Sequence, residues 1–194
     1  ANPWKLDEGS SGSSAGSAAA SAAGLVGFAI GTETWGSIVS PCTRCGVTGL
    51  RPTFGGVPRS GAMALSWSMD KIGPIARSAE DCALIFDAVR GADGLDPSAV
   101  DAPFAWPPAR DPRALLIGVA QRLFDADYAA GENDEGEQRR LREWQEIDRR
   151  ALQALRDAGL RLETVEVTFS VPVAPLGLIL TAEAADPRRA LFKR

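Results

Sequence analysis

Short apolar runs alternate with helical stretches along this chain. Residues 17–23, Ser-Ala-Ala-Ala-Ser-Ala-Ala, are helix formers with small side chains on every face, and Gly24 stands where a C-cap belongs. Such a helix lets its backbone come very close to a neighbouring strand. Leu25-Val26-Gly27-Phe28-Ala29-Ile30 follows and reads as a buried strand. Residues 41–62 are rich in proline and glycine, which predicts turns. A helix is predicted over 78–90. Ser78 is its N-cap, Glu80 and Asp81 lie in its first turn, and Ala83, Leu84, Phe86, Ala88 and Val89 form its apolar side.

The second half is more polar. Residues 91–113 carry Pro, Asp and Gly and read as a surface connection, and 115–120 as a second buried strand. Residues 125–140 are acidic, then mixed in charge; those around Glu132 to Glu137 read as a solvated insertion. From 139 to 158, Leu141, Trp144, Ile147, Leu152 and Leu155 recur at helical spacing, and Gly159 stops the helix. Residues 161–167 alternate like a half-exposed strand. Residues 176–193 show no clean end. Helices alternating with strands predict an α/β fold.

Composition narrows the possibilities. A chain of 194 residues with 45% hydrophobic residues can bury a sizeable core. Its net charge of −4 argues against a nucleic-acid surface, and no apolar run is long enough for a membrane span. No signal peptide is visible, but the chain opens at Ala1 inside a motif, so a missing N-terminus is expected. Three cysteines are too few for a disulfide framework. Cys42-Thr43-Arg44-Cys45 has redox or zinc spacing, yet no second such pair and no histidine complete a zinc site, so these cysteines read as small buried residues.

The candidate chemistry lies in two serine-bearing loops. Gly31-Thr32-Glu33-Thr34-Trp35-Gly36-Ser37-Ile38 is a small-residue turn, and Ser13, 24 residues before Ser37, lies in Gly12-Ser13-Ser14-Ala15-Gly16-Ser17. Two such loops bracketing a helix and a strand suit a hydrolase in which one serine attacks and another relays a proton. The chain has no histidine, so a Ser-His-Asp relay is impossible and lysine is the usual substitute base. A phosphate-binding module is the weaker alternative, since neither a P-loop lysine nor a GxGxxG is present.

Asn2-Pro3-Trp4, the two serine blocks, Cys45-Gly46-Val47-Thr48-Gly49-Leu50-Arg51-Pro52-Thr53, Asp70-Lys71-Ile72-Gly73-Pro74-Ile75-Ala76-Arg77-Ser78 and Glu80-Asp81 stand in one order. In that order they resemble the amidase signature family, closely over the first half and diffusely afterwards. The resemblance implies a mixed central sheet flanked by helices, present as a partial domain. Residues 1–100 would be the catalytic core, and 101–194 a peripheral helix–strand part with a charged insertion. It implies Ser37 as nucleophile and Ser13 as bridging serine, with a cis peptide bond at Gly12–Ser13 or next to Ser13. Oxyanion donors fall on the backbone of Thr34, Trp35 and Gly36, and Glu33 and Asp70 support the loops. The family's lysine lies far upstream of the bridging serine, whereas Lys5, Lys71 and Lys193 read as surface charges.

Departures from the family pattern are Trp35 in place of Gly, Val39 in place of Arg and Glu33 in place of Asp. The implied activity is cofactor-free hydrolysis of a small-molecule amide in the cytoplasm, with no nucleic-acid or membrane partner and an open oligomeric state. The segment by itself is expected to be inactive. The glutaminase component of a tRNA-dependent amidotransferase and a non-catalytic scaffold are the alternatives.

Overall fold

The computed structural model describes residues 1–108, 111–168 and 172–185. They form two compact units, one of residues 1–106 with 173–185, the other between 107 and 172. The secondary structure is mixed α/β. The first unit contains α1 (Ala15–Ala22), β1 (Phe28–Glu33), α2 (Val39–Cys45), β2 (Thr48–Gly49), β3 (Lys71–Ala76) and α3 (Ala79–Val89), with α6 (Ala174–Ala185) joining it from the end of the chain. The second contains a 3₁₀ turn (Pro112–Ala114), β4 (Leu116–Val119), α4 (Gln121–Asp125), α5 (Glu135–Asp157) and β5 (Arg161–Thr164).

In the first unit β3 lies between β1 and β2 and pairs antiparallel with both; Gly31 stands opposite Gly73, and Glu33 opposite Lys71. Strand β1 is shifted from the expected 25–30. Gly24 adopts φ +71 just past α1, so residues 25–27 complete the turn. The strand is also not buried throughout. Its core side carries Gly31 and Glu33, while Phe28 and Ile30 are about half exposed on the other side.

Three serines stitch α1 to the sheet. Ser14, Ser17 and Ser21 fall on one helix face by their spacing of three and four. Ser14 Oγ lies 3.2 Å from both the N–H and the carbonyl of Thr32. Ser17 Oγ donates to the Ile30 carbonyl at 2.9 Å, and Ser21 Oγ reaches the Ile75 carbonyl at 3.5 Å. Their satisfied hydroxyls let a helix of small residues seat on strands without leaving polar groups unpaired.

The core centres on Ile38, fully buried and next in sequence to Ser37. A Cβ at Gly31 would lie 3.0 Å from Ile38, one at Gly49 would lie 2.8 Å from it, and one at Gly73 would lie 3.2 Å from it and collide with the Leu50 carbonyl. Each of the three strands therefore contributes a glycine to the socket holding Ile38. Cys42 and Cys45 pack here too, and Cys82 is also buried. Burial, with Cys82 and Cys45 nearby, pushes the Cys42 thiol up to about 11.

Helix α2 occupies part of the segment expected to be turns. Pro41 lies in its first turn, where a proline removes no helical hydrogen bond, and Gly46 at φ +63 ends it. Helix α3 matches the expected span, with Ser78 Oγ accepting from the Asp81 N–H at 3.0 Å; Cys82 and Ala83 are its buried residues, and Leu84 is exposed.

In the second unit β4 and β5 pair in parallel, and both are largely exposed, so 115–120 is a strand but not a buried one. Helix α5 starts four residues before the expected 139, because Asp134 caps it by accepting from the Glu137 N–H at 2.8 Å. Its buried positions are Gln145 and Leu152, whereas Trp144 and Ile147 are half exposed. Gln145 Nε2 donates to the carbonyls of Phe124 and Ala126, a role that hydrophobic periodicity does not detect. Gly159, at φ +83, follows the end of the helix.

Candidate active site

The turn of residues 34–37 joins β1 to α2 and is fixed from three sides. From below, Glu33 is fully buried, and its Oε2 accepts from the N–H groups of Ile38 and Val39 at 2.8 and 2.9 Å. Its Oε1 accepts from Arg51 at 3.2 Å. A carboxylate this buried needs such partners, because desolvating an unpaired charge is costly. From the loop just before β3, Asp70 Oδ1 accepts the Thr34 hydroxyl, while its Oδ2 accepts from the N–H groups of Leu65 and Ser66 at 2.7 and 3.0 Å. Asp70 thus forms a local turn and supports the site loop at once. From the N-terminal loop, the Ser14 N–H donates to the Ser37 carbonyl at 3.1 Å, and Ser11 Oγ meets Ser40 Oγ at 2.6 Å.

Carbonyls and N–H groups of the turn are treated differently. The carbonyls of Thr34, Gly36 and Ser37 accept from Lys71 Nζ, the Ser40 N–H and the Ser14 N–H respectively. Among the described residues, the N–H groups of Trp35, Gly36 and Ser37 have no acceptor. The turn thus presents successive backbone donors without partners. Trp35 fits the turn without a positive φ, so the bulky residue in place of glycine does not strain the backbone; its side chain is half exposed. A Cβ at Gly36 would meet nothing within 4 Å, which leaves the space above that residue open.

The Gly12–Ser13 peptide bond is cis. Ser13 is exposed and lines a cavity of about 780 Å³, together with Thr34, Asp70 and Lys71. Phe54, Met63, Leu65 and Trp67 give that cavity apolar walls. Ser37, Trp35, Gly36 and Glu33 are not among its lining residues; Ser37 is half-buried.

Three residues of the site region escaped the sequence reading. Lys71 is not a surface charge. It is half-buried, donates to the carbonyls of Thr34 (3.2 Å) and Met69, and lines the cavity. Burial pulls its ammonium below the ordinary lysine value and Arg51 adds to this, while Glu33 and Asp70 oppose it. Its alignment with Glu33 across two antiparallel strands was the available signal, but that required the pairing register. Arg59, a second cavity-lining residue, pairs with Asp96 at 3.1 Å, donates to Ser98 and covers the Phe54 ring at 4.5 Å. Burial raises the Asp96 carboxyl, but the bonds from Ser98 and Arg59 prevail and hold it well below the usual range. Glu183, on α6, accepts from Ser66 Oγ and, at 3.3 Å, from the Ser68 N–H, 117 and 115 residues away in sequence. Lys5 pairs with Glu8 at 2.5 Å on the surface, and Lys193 lies outside the described residues.

The profile of the Amidase family matches residues 1–185. The chain belongs to the amidase family. A curated relative, the glutamyl-tRNA(Gln) amidotransferase subunit of Roseiflexus sp. (strain RS-1), is 38% identical over 194 residues, covering 98% of this chain and 37% of its own length. The chain therefore spans little more than a third of that relative's length. The crystal structure of the glutamyl-tRNA(Gln) amidotransferase subunit from Thermotoga maritima superposes with a TM-score of 0.75 at 32% identity, over 95% of this chain and 39% of that one. The peptide amidase of Stenotrophomonas maltophilia gives 0.65 at 34% identity, over 85% and 32%. Their fold is the amidase signature fold, which agrees with the architecture described above.

Proposed function

We propose that this chain carries the nucleophile, bridging serine and oxyanion donors of an amide hydrolase. Ser37 Oγ attacks the carbonyl carbon of a carboxamide, and its proton passes through the Ser13 hydroxyl to a neutral lysine amine. The tetrahedral oxyanion sits on the N–H groups of the turn, with Thr34, Trp35 and Gly36 as the donors that the family pattern assigns. The C–N bond then breaks as the proton returns through Ser13 to the leaving nitrogen, and water releases the acyl group from Ser37. The observation that carries this reading is the turn itself, with the carbonyls of Thr34, Gly36 and Ser37 engaged and its N–H groups open.

The base is the weak point of the chain alone. It has no histidine, Lys5 pairs with Glu8, Lys71 is committed to two carbonyl oxygens, and Lys193 lies outside the described residues. By this reading the 194-residue segment turns over amides poorly, and a lysine beyond it serves as base. The test compares the segment with the longest native form of the protein on simple carboxamides. Activity in the long form, lost by orders of magnitude in a folded Ser37→Ala variant, supports the assignment. Near-parental turnover by that variant overturns it.

A second reading rests on the relatives. The likeness to a component of glutamyl-tRNA(Gln) amidotransferase favours glutamine as the amide, with ammonia as the released product. Glutamine hydrolysis at least ten times more efficient than that of a simple aliphatic amide would select this reading; the reverse order would select a general amidase.

A further inference from the structure

We propose that Lys71 is a positioning residue that aims the Trp35 N–H at the oxyanion site. The inference rests on the reading of residues 34–37 as the oxyanion turn. Lys71 opens β3 directly opposite Glu33, the last residue of β1, so its side chain starts beside the point where the turn leaves the sheet. From there Nζ reaches the Thr34 carbonyl at 3.2 Å, and its neighbour Asp70 holds the Thr34 hydroxyl. Two consecutive residues therefore clamp Thr34 by backbone and side chain together.

The consequence follows from peptide geometry. The Thr34–Trp35 bond is trans, so the Thr34 carbonyl and the Trp35 N–H belong to one plane and point in opposite directions. Fixing the carbonyl on the Lys71 ammonium fixes the N–H pointing away from that ammonium. The ammonium also polarises the peptide unit, which makes the N–H a stronger donor. Neither effect needs contact with substrate. A neutral, non-donating side chain of the same length would leave the peptide plane free to rotate and cost both.

Lys71 also lines the cavity, so a direct hold on substrate is the competing role, and steady-state kinetics separate the two. The experiment uses the longest native form of the protein, a simple carboxamide, and the variants Lys71→Met, Lys71→Gln, Lys71→Arg and Ser37→Ala. Removing a single oxyanion donor costs ~100–1000-fold in kcat, so misaiming one should cost ~10–100-fold. The expected result for Lys71→Met is that loss in kcat with KM within about threefold, and for Lys71→Arg a recovery of at least a third of parental kcat. Lys71→Gln, which can still donate without charge, should lose about threefold or more, and it carries the test if the Met variant does not fold.

A parental kcat in the folded neutral variants overturns the proposal. So does a rise in KM with kcat unchanged, or an Arg variant as poor as the Met one. Ser37→Ala keeps the two levels apart: activity surviving in it removes the nucleophile assignment, whereas its inactivity beside an unimpaired Lys71→Met removes only the role of Lys71.

Discussion

Helix α1 has eight residues, no charged side chain and no side-chain cap. Helix α5 has 23 residues, an Asp134 cap and ion pairs three residues apart, such as Arg140 with Glu137. An isolated helix as short as α1 is not stable in water. It persists because Ser14, Ser17 and Ser21 bond to the strands and because Gly31 lets it sit close. Helix α5 draws much more on local effects: length, capping and charge spacing. The proposed chemistry belongs to the first kind of region. The turn bearing Ser37 is held by Glu33, Asp70, Lys71 and Ser14, residues scattered over the first 71 positions. Sites that need fixed geometry are built where packing over-determines the backbone, and segments that need only be helical are left to local rules.

The sharpest way to break this contrast is at Ile38. Ile38→Ala should destabilise the first unit by ~2–5 kcal/mol, because a socket built from three strands cannot collapse onto the void. Thermal unfolding followed by circular dichroism checks this. A loss under about 1 kcal/mol would mean that the glycine socket is loose. Gly73→Ala attacks the same socket by overfilling it, pressing a methyl group on the Leu50 carbonyl and Ile38. A cost of ~1–3 kcal/mol is expected in urea denaturation.

Alkali should destabilise the first unit, since all three cysteines lie in it. Burial holds the Cys42 thiol protonated in the fold, up to about 11, while the unfolded thiol ionises in its ordinary range. The stabilisation is therefore complete below that range and declines as pH rises toward 11. Urea midpoints measured from pH 7 to 10.5 should fall for the parent and fall less for Cys42→Ala. Equal slopes would remove the thiol from the account.

Smaller effects sharpen the comparison. Ser17→Ala removes one bond from α1 to the Ile30 carbonyl and should cost ~0.5–1.5 kcal/mol. Arg140→Ala removes an exposed ion pair from α5 and should stay within about 0.5 kcal/mol of the parent. If Arg140→Ala proved the costlier of the two, the division between packed and locally coded helices would be wrong.

The sequence alone determined a good deal. Order and spacing of the serine blocks led to the amidase family, and the match over residues 1–185 agrees. Local rules placed α3 with its Ser78 cap and the glycine stop after α5, because capping and left-handed glycine are decided by a few neighbouring residues. Tertiary structure decided the rest. Hydrophobicity put the first strand at 25–30, but the side of β1 facing the core is set by Gly31 and Glu33, a glycine and a carboxylate that no apolar pattern marks. Lys71 looked like a surface charge until β3 paired with β1 and set it beside Thr34. Glu183 met Ser66 only through a chain reversal of more than a hundred residues. These contacts depend on strand register and on groups far apart in sequence, and the physical chemistry of any one segment holds no information about which distant partner will satisfy it.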